Sequence, residues 1–349
     1  MSATLSDLSG LNRTLHTQES WEWPIALYLY LAGIGSGAMA VGLITDWILH
    51  PDLPSRAVLL WGPILVAIGA PFLILDLGKK KRFLNACLNP MTSWAARGFL
   101  ILSTLIVTGM IVFAVSLLPW ALPYFGFAVP AWLDANLPLF RALEIVAVIF
   151  AFGTAAYTGV FLKSTRYVAL WNTWLLPILF LISAMSTGSM GVIVSLFGAG
   201  EITHNESFNE LAHTIMSVEQ GLVAVEAVVL ALFMAMRNCS SEVGKCSVRL
   251  LLKGRMKFVF WGGVVVLGLA LPPVLEFVYS RFPNYPALIF ITGASLLTGG
   301  FFLRYGVVKG GIKDEHPLHK MAPLQYDWKA MAQPHNPGLA SRGEGVRDI

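Results

Sequence analysis

The sequence predicts an all-α integral membrane protein, built as a bundle of about eight transmembrane helices. Of its 349 residues, 56% are hydrophobic and only 13% are charged. A soluble domain carries about 25% charged residues, because its surface must face water. The apolar residues also fall in runs of about 20 or more, which at about 1.5 Å per residue cross a hydrocarbon layer roughly 30 Å thick. Inside that layer every backbone polar group must be paired within the protein, and a helix achieves this.

Eight apolar runs locate the spans, and turn residues or charges separate them. The spans are 24–47, 56–77, 94–118, 139–162, 171–198, 211–236, 257–279 and 286–308. We expect a polar N-terminal segment (1–22), an eight-helix membrane domain (23–308) and a polar C-terminal tail (309–349). The N-terminal segment lacks an apolar stretch, so no cleavable signal peptide is expected. The tail contains four prolines and is expected to be either an extended arm that lies on a partner or a loosely ordered segment, not a domain.

Lysine and arginine are concentrated on one side of the predicted bundle. The segments before span 1, after spans 2, 4 and 6, and after span 8 hold 20 of the 24 Lys and Arg residues. The segments after the odd-numbered spans hold only Arg56, Arg141 and Arg281, and Arg97 lies on the basic side. The positive-inside rule therefore predicts a multi-pass protein of the prokaryotic cytoplasmic membrane with both termini in the cytoplasm. A basic face would also suit docking of an acidic subunit.

Ionisable side chains inside the spans are the first candidates for function, because each is unfavourable in hydrocarbon. They are Asp46, Asp76, Arg97, Arg141, Glu144, His213, Glu219, Glu226 and Glu276. Glu219 and Glu226 share one face of span 6, and a carboxylate near the centre of a span must be protonated, paired or hydrated. We predict a proton pathway through Glu144, His213, Glu219 and Glu226. The alternative is that the span-6 glutamates only hydrogen-bond a neighbouring helix.

The histidines and cysteines argue against redox cofactors bound by this protein. A haem b inside a bundle needs two axial histidines, and only His213 lies within a span. The cysteines, Cys87, Cys239 and Cys246, include no CxxC pair, so no iron–sulfur cluster is expected. No metal-ligand spacing, P-loop or dinucleotide motif is present, and no nucleic-acid partner is expected. The glycines at positions 33, 35 and 37 suit close helix packing in the lipid.

Aromatic and charged residues gather at one end of the first four spans. Span 1 begins at Trp23 and carries Tyr28, and span 2 ends at Asp76. Span 3 begins near Arg97, and span 4 ends near Tyr157. Successive spans alternate in direction, so these residues lie at the same membrane face. A phenol can donate to a quinone carbonyl and a carboxyl group can exchange the proton, although Trp and Tyr are also usual at membrane interfaces.

Five stretches of spans 1 to 5 match the pattern of a known family. They are WEWPIALYLYLAGIGSGA (21–38), LDLGKKKRF (75–83), NPMTSWAARG (89–98), YTGVFL (157–162) and WNTWLLPILFLISAMSTG (171–188). With these blocks in this order, the protein resembles the membrane subunits of polysulfide reductase and its NrfD-like relatives. Spans 6 to 8 fit that family in length and hydropathy.

The resemblance implies an eight-helix bundle that holds a quinone, either menaquinone or ubiquinone. It also implies an iron–sulfur (ferredoxin-like) partner subunit and, beyond it, a molybdopterin or other catalytic subunit. Carried over by position, Tyr157 would hydrogen-bond a quinone carbonyl, Asp76 would supply the nearby acid, and Tyr28 would contact the quinone. The sequence departs from polysulfide reductase at Tyr28, where that subunit has a histidine, and at Ile25, where it has an asparagine. The family site faces the attached subunits, commonly in the periplasm, whereas the charge count here places the same face in the cytoplasm.

We therefore expect a quinone-binding membrane subunit of a respiratory oxidoreductase complex, without a redox centre of its own. Its site is expected within 23–163, with Asp76 and Tyr157 as catalytic residues and Tyr28, Trp23 and Arg97 as further quinone contacts. Proton translocation along span 6 is a candidate for an added function. One alternative is a secondary transporter or proton channel that uses the glutamates without a quinone, and another is a purely structural anchor.

Overall fold

The computed structural model describes residues 16–17, 23–49, 53–76, 94–130, 138–165, 168–204, 206–283 and 285–313. Most of the predicted polar segments 1–22 and 309–349 therefore lies outside the described residues, as does the basic stretch 79–82.

Helices make up nearly all of the described residues. They are α1 (Trp23–Leu49), α2 (Leu53–Leu59), α3 (Gly62–Asp76), α4 (Trp94–Ala121), α5 (Pro138–Ser164), α6 (Leu175–Thr203), α7 (Glu206–Ser240), α8 (Glu242–Leu252), α9 (Leu271–Arg281) and α10 (Ala287–Lys309). A 3-10 turn (Leu122–Phe125) extends α4, and a π-helical segment (Val259–Ala270) leads directly into α9. Two short strands, β1 (His16–Thr17) and β2 (Ile312–Lys313), pair antiparallel.

Seven of the described helices are long and apolar enough to cross a membrane, with the π-helical segment and α9 counting as one. This confirms the predicted all-α membrane bundle. Every predicted span except the second begins and ends within a few residues of an observed helix.

The second predicted span, 56–77, is two helices and not one. Helix α2 ends at Leu59, and α3 begins at Gly62. Pro63 has no N–H to donate to the preceding turn, so it is accepted only in the first turn of a new helix. Trp61 lies in the break, where its carbonyl accepts the N–H of Ile64 at 3.0 Å. The described part of α3 has 15 residues and is roughly 22 Å long.

Glycines let α1 approach its neighbours closely. A Cβ atom on Gly35 would lie 2.5 Å from the carbonyl oxygen of Gly62 in α3. Gly37 lies in the same way against the backbone of Ala184 in α6. Small residues at such positions allow helix backbones to pack directly in a membrane, where apolar side chains gain nothing by leaving lipid.

Neighbouring long helices run in opposite directions, so their ends form two faces of the bundle. At one face Trp23 contacts Phe72 of α3, with ring centroids 6.5 Å apart, and Tyr157 of α5 contacts Trp94 at the start of α4. We name this face the Trp23 end. At the opposite face, the last turn of α1 and helix α2 meet Glu144 near the start of α5. We name it the Glu144 end.

Helix α8, which the sequence did not predict, lies at the Trp23 end between two spans. The hydroxyl of Ser241 caps its N-terminus by accepting the N–H of Gly244 at 3.0 Å. Leu251 is buried beside Gly310, which follows α10, whereas Arg249 is exposed. An amphipathic helix of this kind suits the membrane surface, with one face on the protein and the other in water.

Candidate functional site

Two buried phenols lie close together near the Trp23 end. Tyr28 of α1 is fully buried, and Tyr157 of α5 is 4% exposed. The two hydroxyl groups are near enough to interact electrostatically. Among the described residues, the Tyr28 hydroxyl has no hydrogen-bond partner. A buried polar group left in this state costs about 1–3 kcal/mol, so a ligand that accepts a hydrogen bond would be favoured here.

The second phenol is anchored to the backbone. The hydroxyl of Tyr157 donates to the carbonyl oxygen of Trp94 at 3.0 Å. Its ring lies against Gly98, which has no side chain to occupy that space, and near Phe161 at 5.9 Å between ring centroids. The sequence-based prediction gave the donor role to Tyr157, but this hydroxyl proton already binds the start of α4. Tyr28 is the phenol whose proton is not engaged within the described part of the protein.

The other predicted quinone contacts surround the phenols at the same end. Trp23, the first residue of α1, is 54% exposed. Arg97 is also exposed, and its guanidinium carbon lies 4.7 Å from the ring centre of Trp94. Asp76 is the last residue of α3, and its side chain is outside the described part of the structure. The structure thus brings the two phenols together and leaves Trp23 and Arg97 on the rim.

A set of four charges, three of them buried, occupies the Glu144 end, and we name it the ion-pair cluster: Asp46, Arg56 and Glu144 are buried, and Arg141 is partly exposed. The fully buried Glu144 carboxylate accepts hydrogen bonds from Arg56, from Trp47 Nε1 at 2.9 Å and from Arg141 Nη1 at 3.2 Å. The Nε of Arg56 lies 3.1 Å from Oδ1 of Asp46. Two carboxylates therefore balance two guanidinium groups and join α1, α2 and α5. Glu144, predicted for the proton pathway, is engaged in this cluster, whereas Glu219 and Glu226 lie on α7.

A second set of buried acids lies along α7, and we name it the carboxyl line. It consists of Glu219 and Glu226 of α7 and Glu276 of α9. Glu219 is fully buried and lies beside Glu276 of α9, which is 2% exposed. Within the described residues, neither of these two carboxyl groups has a completed hydrogen bond. Ser186 of α6 lies close to both Glu219 and Glu226, which places its hydroxyl between them.

Arg304 of α10 lies next to the carboxyl line, on the side of Glu226 that faces the Trp23 end. Its Nη1 donates to the hydroxyl of Ser183 at 3.1 Å and to the carbonyl of Gly300 at 3.0 Å. Glu226 lies near both Ser183 and Arg304. The remaining Nε and Nη2 groups of Arg304 have no partner in the described ranges. A cavity of about 10 Å³ lies beside Glu226, large enough for one water molecule.

Arg304 also corrects the sequence-based charge count. It was counted with the basic segment after span 8, but it is fully buried inside the bundle. The basic segments therefore hold 19 of the 24 Lys and Arg residues, not 20. The signal that could have found it was its position, because residue 304 falls inside the predicted span 286–308. Glu276 was recognised as an ionisable residue in a span but was not assigned to the pathway.

His213 lies nearer the Glu144 end of the same helix, α7. Its ring stacks on Tyr279 of α9 at 5.7 Å between ring centroids and meets the edge of Phe197 at 5.4 Å. From residue 213 to residue 226, α7 rises roughly 20 Å at about 1.5 Å per residue. The predicted pathway residues are therefore spread from the Glu144 end toward the middle of the bundle, but His213 is exposed and lies about 120° around α7 from the face that carries Glu219 and Glu226.

The polar groups at the Trp23 end suit a neutral ligand with hydrogen-bond acceptors. Within the part of the protein that the structure describes, no three His, Cys, Asp or Glu side chains lie close enough to hold a metal ion. A quinone carbonyl requires a donor, and the unengaged hydroxyl of Tyr28 is a donor in an apolar setting. The residues present thus fit a quinone.

Long apolar helices with ionisable residues buried between them define a multi-pass α-helical membrane protein. Its family follows from comparison with known sequences. The profile of the family described as "Polysulphide reductase, NrfD" matches residues 12–313, and the protein belongs to this NrfD family. The resemblance drawn from the five sequence blocks is therefore confirmed.

Three curated relatives are similar along most of their length. The C subunit of polysulfide reductase from Wolinella succinogenes is 29% identical over 306 residues, and protein NrfD of Escherichia coli is 28% identical over 307 residues. A protein NrfD homolog of Haemophilus influenzae is 23% identical over 320 residues. Each comparison covers 83% of this protein and 94% of the relative.

Proposed function

We propose that this protein is the quinone-binding membrane subunit of a respiratory oxidoreductase complex. It would exchange electrons between an iron–sulfur partner subunit and a menaquinone or ubiquinone in the membrane. The family supports this proposal, because one relative is named as part of polysulfide reductase. A molybdopterin or other catalytic subunit would complete the complex beyond the iron–sulfur partner.

The observation that carries the proposal is the buried Tyr28 hydroxyl without a partner among the described residues, beside Tyr157 at the Trp23 end. A structural tyrosine in lipid would be expected to find a backbone carbonyl. Tyr30, two positions along the same helix, does so by donating to the carbonyl of Leu297 at 2.8 Å. The contrast within one helix supports a binding role for Tyr28.

Each residue would have a distinct task. A bound quinone supplies the redox chemistry, taking up two electrons and two protons to become a quinol. Tyr28 would donate to a carbonyl oxygen and stabilise the negative charge that develops there. Tyr157, held by the Trp94 carbonyl, would shape the neighbouring wall. We propose Asp76 as the acid that exchanges the proton, with Trp23 and Arg97 at the entrance.

The test is Tyr28→Phe in the complex assembled with its partners. The substitution removes one donor and almost no volume, so assembly should survive. Losing a hydrogen bond of about 1–3 kcal/mol predicts a fall in quinone-linked kcat/KM of roughly 5- to 150-fold. Tyr157→Phe should also lower turnover, but less, because its hydroxyl is engaged with Trp94.

The matched control is Tyr30→Phe, which removes a hydroxyl from the same helix. Residues two apart on a helix point to nearly opposite sides, so this change leaves the Tyr28 surface intact. Quinone-linked kcat/KM should stay within about twofold of the wild type for the control. Wild-type turnover in an assembled Tyr28→Phe complex would refute the assignment of Tyr28.

A second function, proton translocation, is favoured by the carboxyl line. Glu219 and Glu276 lie within hydrogen-bonding reach of each other and are paired with no cation among the described residues. Such carboxyl groups are suited to accepting and releasing protons, because no fixed positive charge holds them in one state. The route would run from His213 past Glu219 and Glu276 to Glu226. The same residues would serve a transporter or proton channel that binds no quinone, and that rival predicts proton movement without quinone turnover.

The test of this route is Glu226→Gln, measured as the proton-to-electron ratio in vesicles that contain the reconstituted complex. We expect a lower ratio while quinone turnover is retained, because an amide cannot carry the proton. An unchanged, nonzero ratio in the variant would assign Glu226 to structure. A wild-type ratio without any translocation would remove this function altogether, and proton flux that needs no electron donor would favour the transporter.

A further inference from the structure

We infer that the redox partner binds the Trp23 end from the cytoplasm, through an acidic surface of its own. The inference rests on the proposed quinone function. The inference goes beyond that function because it assigns the compartment in which the partner lies and the charge of the partner's binding surface. Its basis is the distribution of charge between the two ends, the position of the phenols and the exposure of one cysteine.

The Trp23 end is basic throughout its described part. Its cations with described side chains are Arg97, Lys163, Arg237, Lys245, Arg249, Lys253, Arg255, Lys257 and Lys309. No acidic residue whose side chain the structure describes lies at this end. Four of the cations, at positions 249, 253, 255 and 257, are exposed within nine consecutive residues. Among the side chains that the structure describes, the surface around the phenols therefore carries cations only.

The Glu144 end has the opposite character. Of its three arginines, Arg56 and Arg141 are bound within the ion-pair cluster, and Arg281 is exposed. Exposed acids follow along the end of α6 and the start of α7, and they are Glu201, Glu206 and Glu210. The structure thus widens the difference that the sequence predicts, because two of the three arginines are neutralised by partners.

This asymmetry orients the protein in the membrane. Loops that are rich in lysine and arginine stay on the cytoplasmic side during insertion. The Trp23 end is therefore cytoplasmic. Because Tyr28 and Tyr157 lie at that end, a quinone bound to them is reached most directly from the cytoplasm. The sequence has no haem-ligand pair or cluster motif that would carry electrons across roughly 30 Å of hydrocarbon.

The positive charge of the Trp23 end indicates the kind of partner that binds there. A positive surface attracts a negative one over about 10 Å at moderate salt, which guides association and orientation. The partner is accordingly an iron–sulfur protein with an acidic docking face. Electrons from this partner and protons from the cytoplasm would meet at the quinone on one side. The quinone step alone would then move no charge across the membrane, and any translocation would depend on the carboxyl line.

Cys239, a cysteine of the natural sequence, makes the orientation of the protein in the membrane measurable. It is an exposed thiol near the end of α7, at the Trp23 end. The reporter protein is Cys87→Ser/Cys246→Ser, in which Cys239 is the only thiol. The matched control adds Cys239→Ser and Ser280→Cys, because Ser280 is exposed near the end of α9 at the Glu144 end.

A membrane-impermeant maleimide is applied to spheroplasts and to inside-out vesicles. We expect Cys239 to react in the vesicles and not in the spheroplasts, and the Ser280→Cys control to show the reverse. The partner should be digested by added protease only in the inside-out vesicles. Labelling of Cys239 in spheroplasts, or a partner digested there, would overturn the cytoplasmic assignment.

Salt tests the charge of the partner separately. Binding to inside-out vesicles should weaken steeply as ionic strength rises from about 0.01 M to about 1 M, where the Debye length falls from about 30 Å to about 3 Å. Equal affinity across that range would overturn the acidic surface. Quinone-linked turnover is measured on the same preparations. A periplasmic Cys239 with active turnover would reject this inference alone, whereas absent turnover with a cytoplasmic Cys239 would reject the quinone function.

Discussion

The ion-pair cluster and the carboxyl line are both largely buried sets of charged residues, yet they are built in opposite ways. In the cluster, Glu144 is contacted by three donors, and Arg56 bridges it to Asp46. In the carboxyl line, Glu219 and Glu276 lie side by side with no completed hydrogen bond in the described structure. The first set contains equal numbers of acids and bases, whereas the second has three acids and one nearby base, Arg304.

The difference teaches how to separate structural charges from functional ones in a membrane bundle. Burial alone does not distinguish Glu144 from Glu219, because both are fully buried. Pairing with positively charged groups does distinguish them, because Glu144 is paired with arginines and Glu219 is not paired with a cation within the described residues. A buried charge with fixed partners holds helices together, and removing one partner leaves the other uncompensated. A buried acid without a cationic partner does not hold helices together in this way and remains able to exchange a proton.

The largest expected effect is on stability and comes from Glu144→Gln. The change leaves the buried Arg56 with Asp46 as its one charged partner among the described residues. Breaking a buried pair in this way lowers the free energy of unfolding by about 3–5 kcal/mol. The measurement is thermal or denaturant unfolding of the purified protein in detergent.

The control for this comparison is Arg141→Gln. The Arg141 side chain is 39% exposed, so its contact with Glu144 is weakened by solvent and contributes less than about 1 kcal/mol. If Glu144→Gln is as stable as Arg141→Gln, the cluster does not hold the helices together.

An intermediate effect on stability is expected from Gly33→Ala, because the added methyl group would crowd Arg304, the arginine beside the carboxyl line. The added Cβ would lie 2.5 Å from Nη2 of Arg304, a fully buried group held by Ser183 and Gly300. Overpacking of this kind destabilises by about 1–3 kcal/mol. The matched change, Gly221→Ala on α7, meets no atom within 4 Å and should stabilise its helix by up to about 1 kcal/mol. Equal unfolding free energies for the two variants would show that Arg304 moves aside freely.

The smallest effect on stability is expected from Glu219→Gln. Its new amide can donate to the neighbouring carboxyl group of Glu276, and one hydrogen bond contributes about 1 kcal/mol. We therefore expect unchanged or slightly higher stability in the same unfolding experiment, together with a lower proton-to-electron ratio. A loss of stability as large as that of Glu144→Gln would mean that Glu219 is a paired structural residue, and the distinction between the two regions would fail.

The sequence predicted most of the fold because hydropathy reports directly on membrane spans. It missed the break at Leu60 and Trp61 because the run 56–77 is apolar on both sides of the break, so only the backbone demand of Pro63 marks it. It also missed α8, because polar and apolar residues are mixed along this helix and form no apolar run that could be recognised as a span. Both features depend on local backbone chemistry and on packing against other helices.

The sequence identified which residues form the candidate site, but not which of them are hydrogen-bonded or ion-paired to one another. The sequence placed Tyr28 and Tyr157 at one membrane face, and it placed Glu219 and Glu226 on one helix face. It could not reveal that Tyr157 donates to Trp94, 63 positions away in the sequence. Nor could it separate Glu144 from the other acids, because the partner Arg56 resembled an ordinary loop cation. Such distinctions arise only when distant segments come together.

The π-helical segment before α9 bears on how the protein tolerates insertions and deletions. Its 12 residues lead without interruption into the helix that carries Glu276. A π-helical turn holds about one residue more than an α-helical turn. Removing one residue from the segment would therefore let a wide turn tighten into an α-helical one, and Glu276 would keep its place beside Glu219. Adding one residue within α9 before Glu276 would instead rotate that side chain by about 100°. Related proteins should accordingly tolerate a one-residue deletion in the π-helical segment better than an insertion in α9.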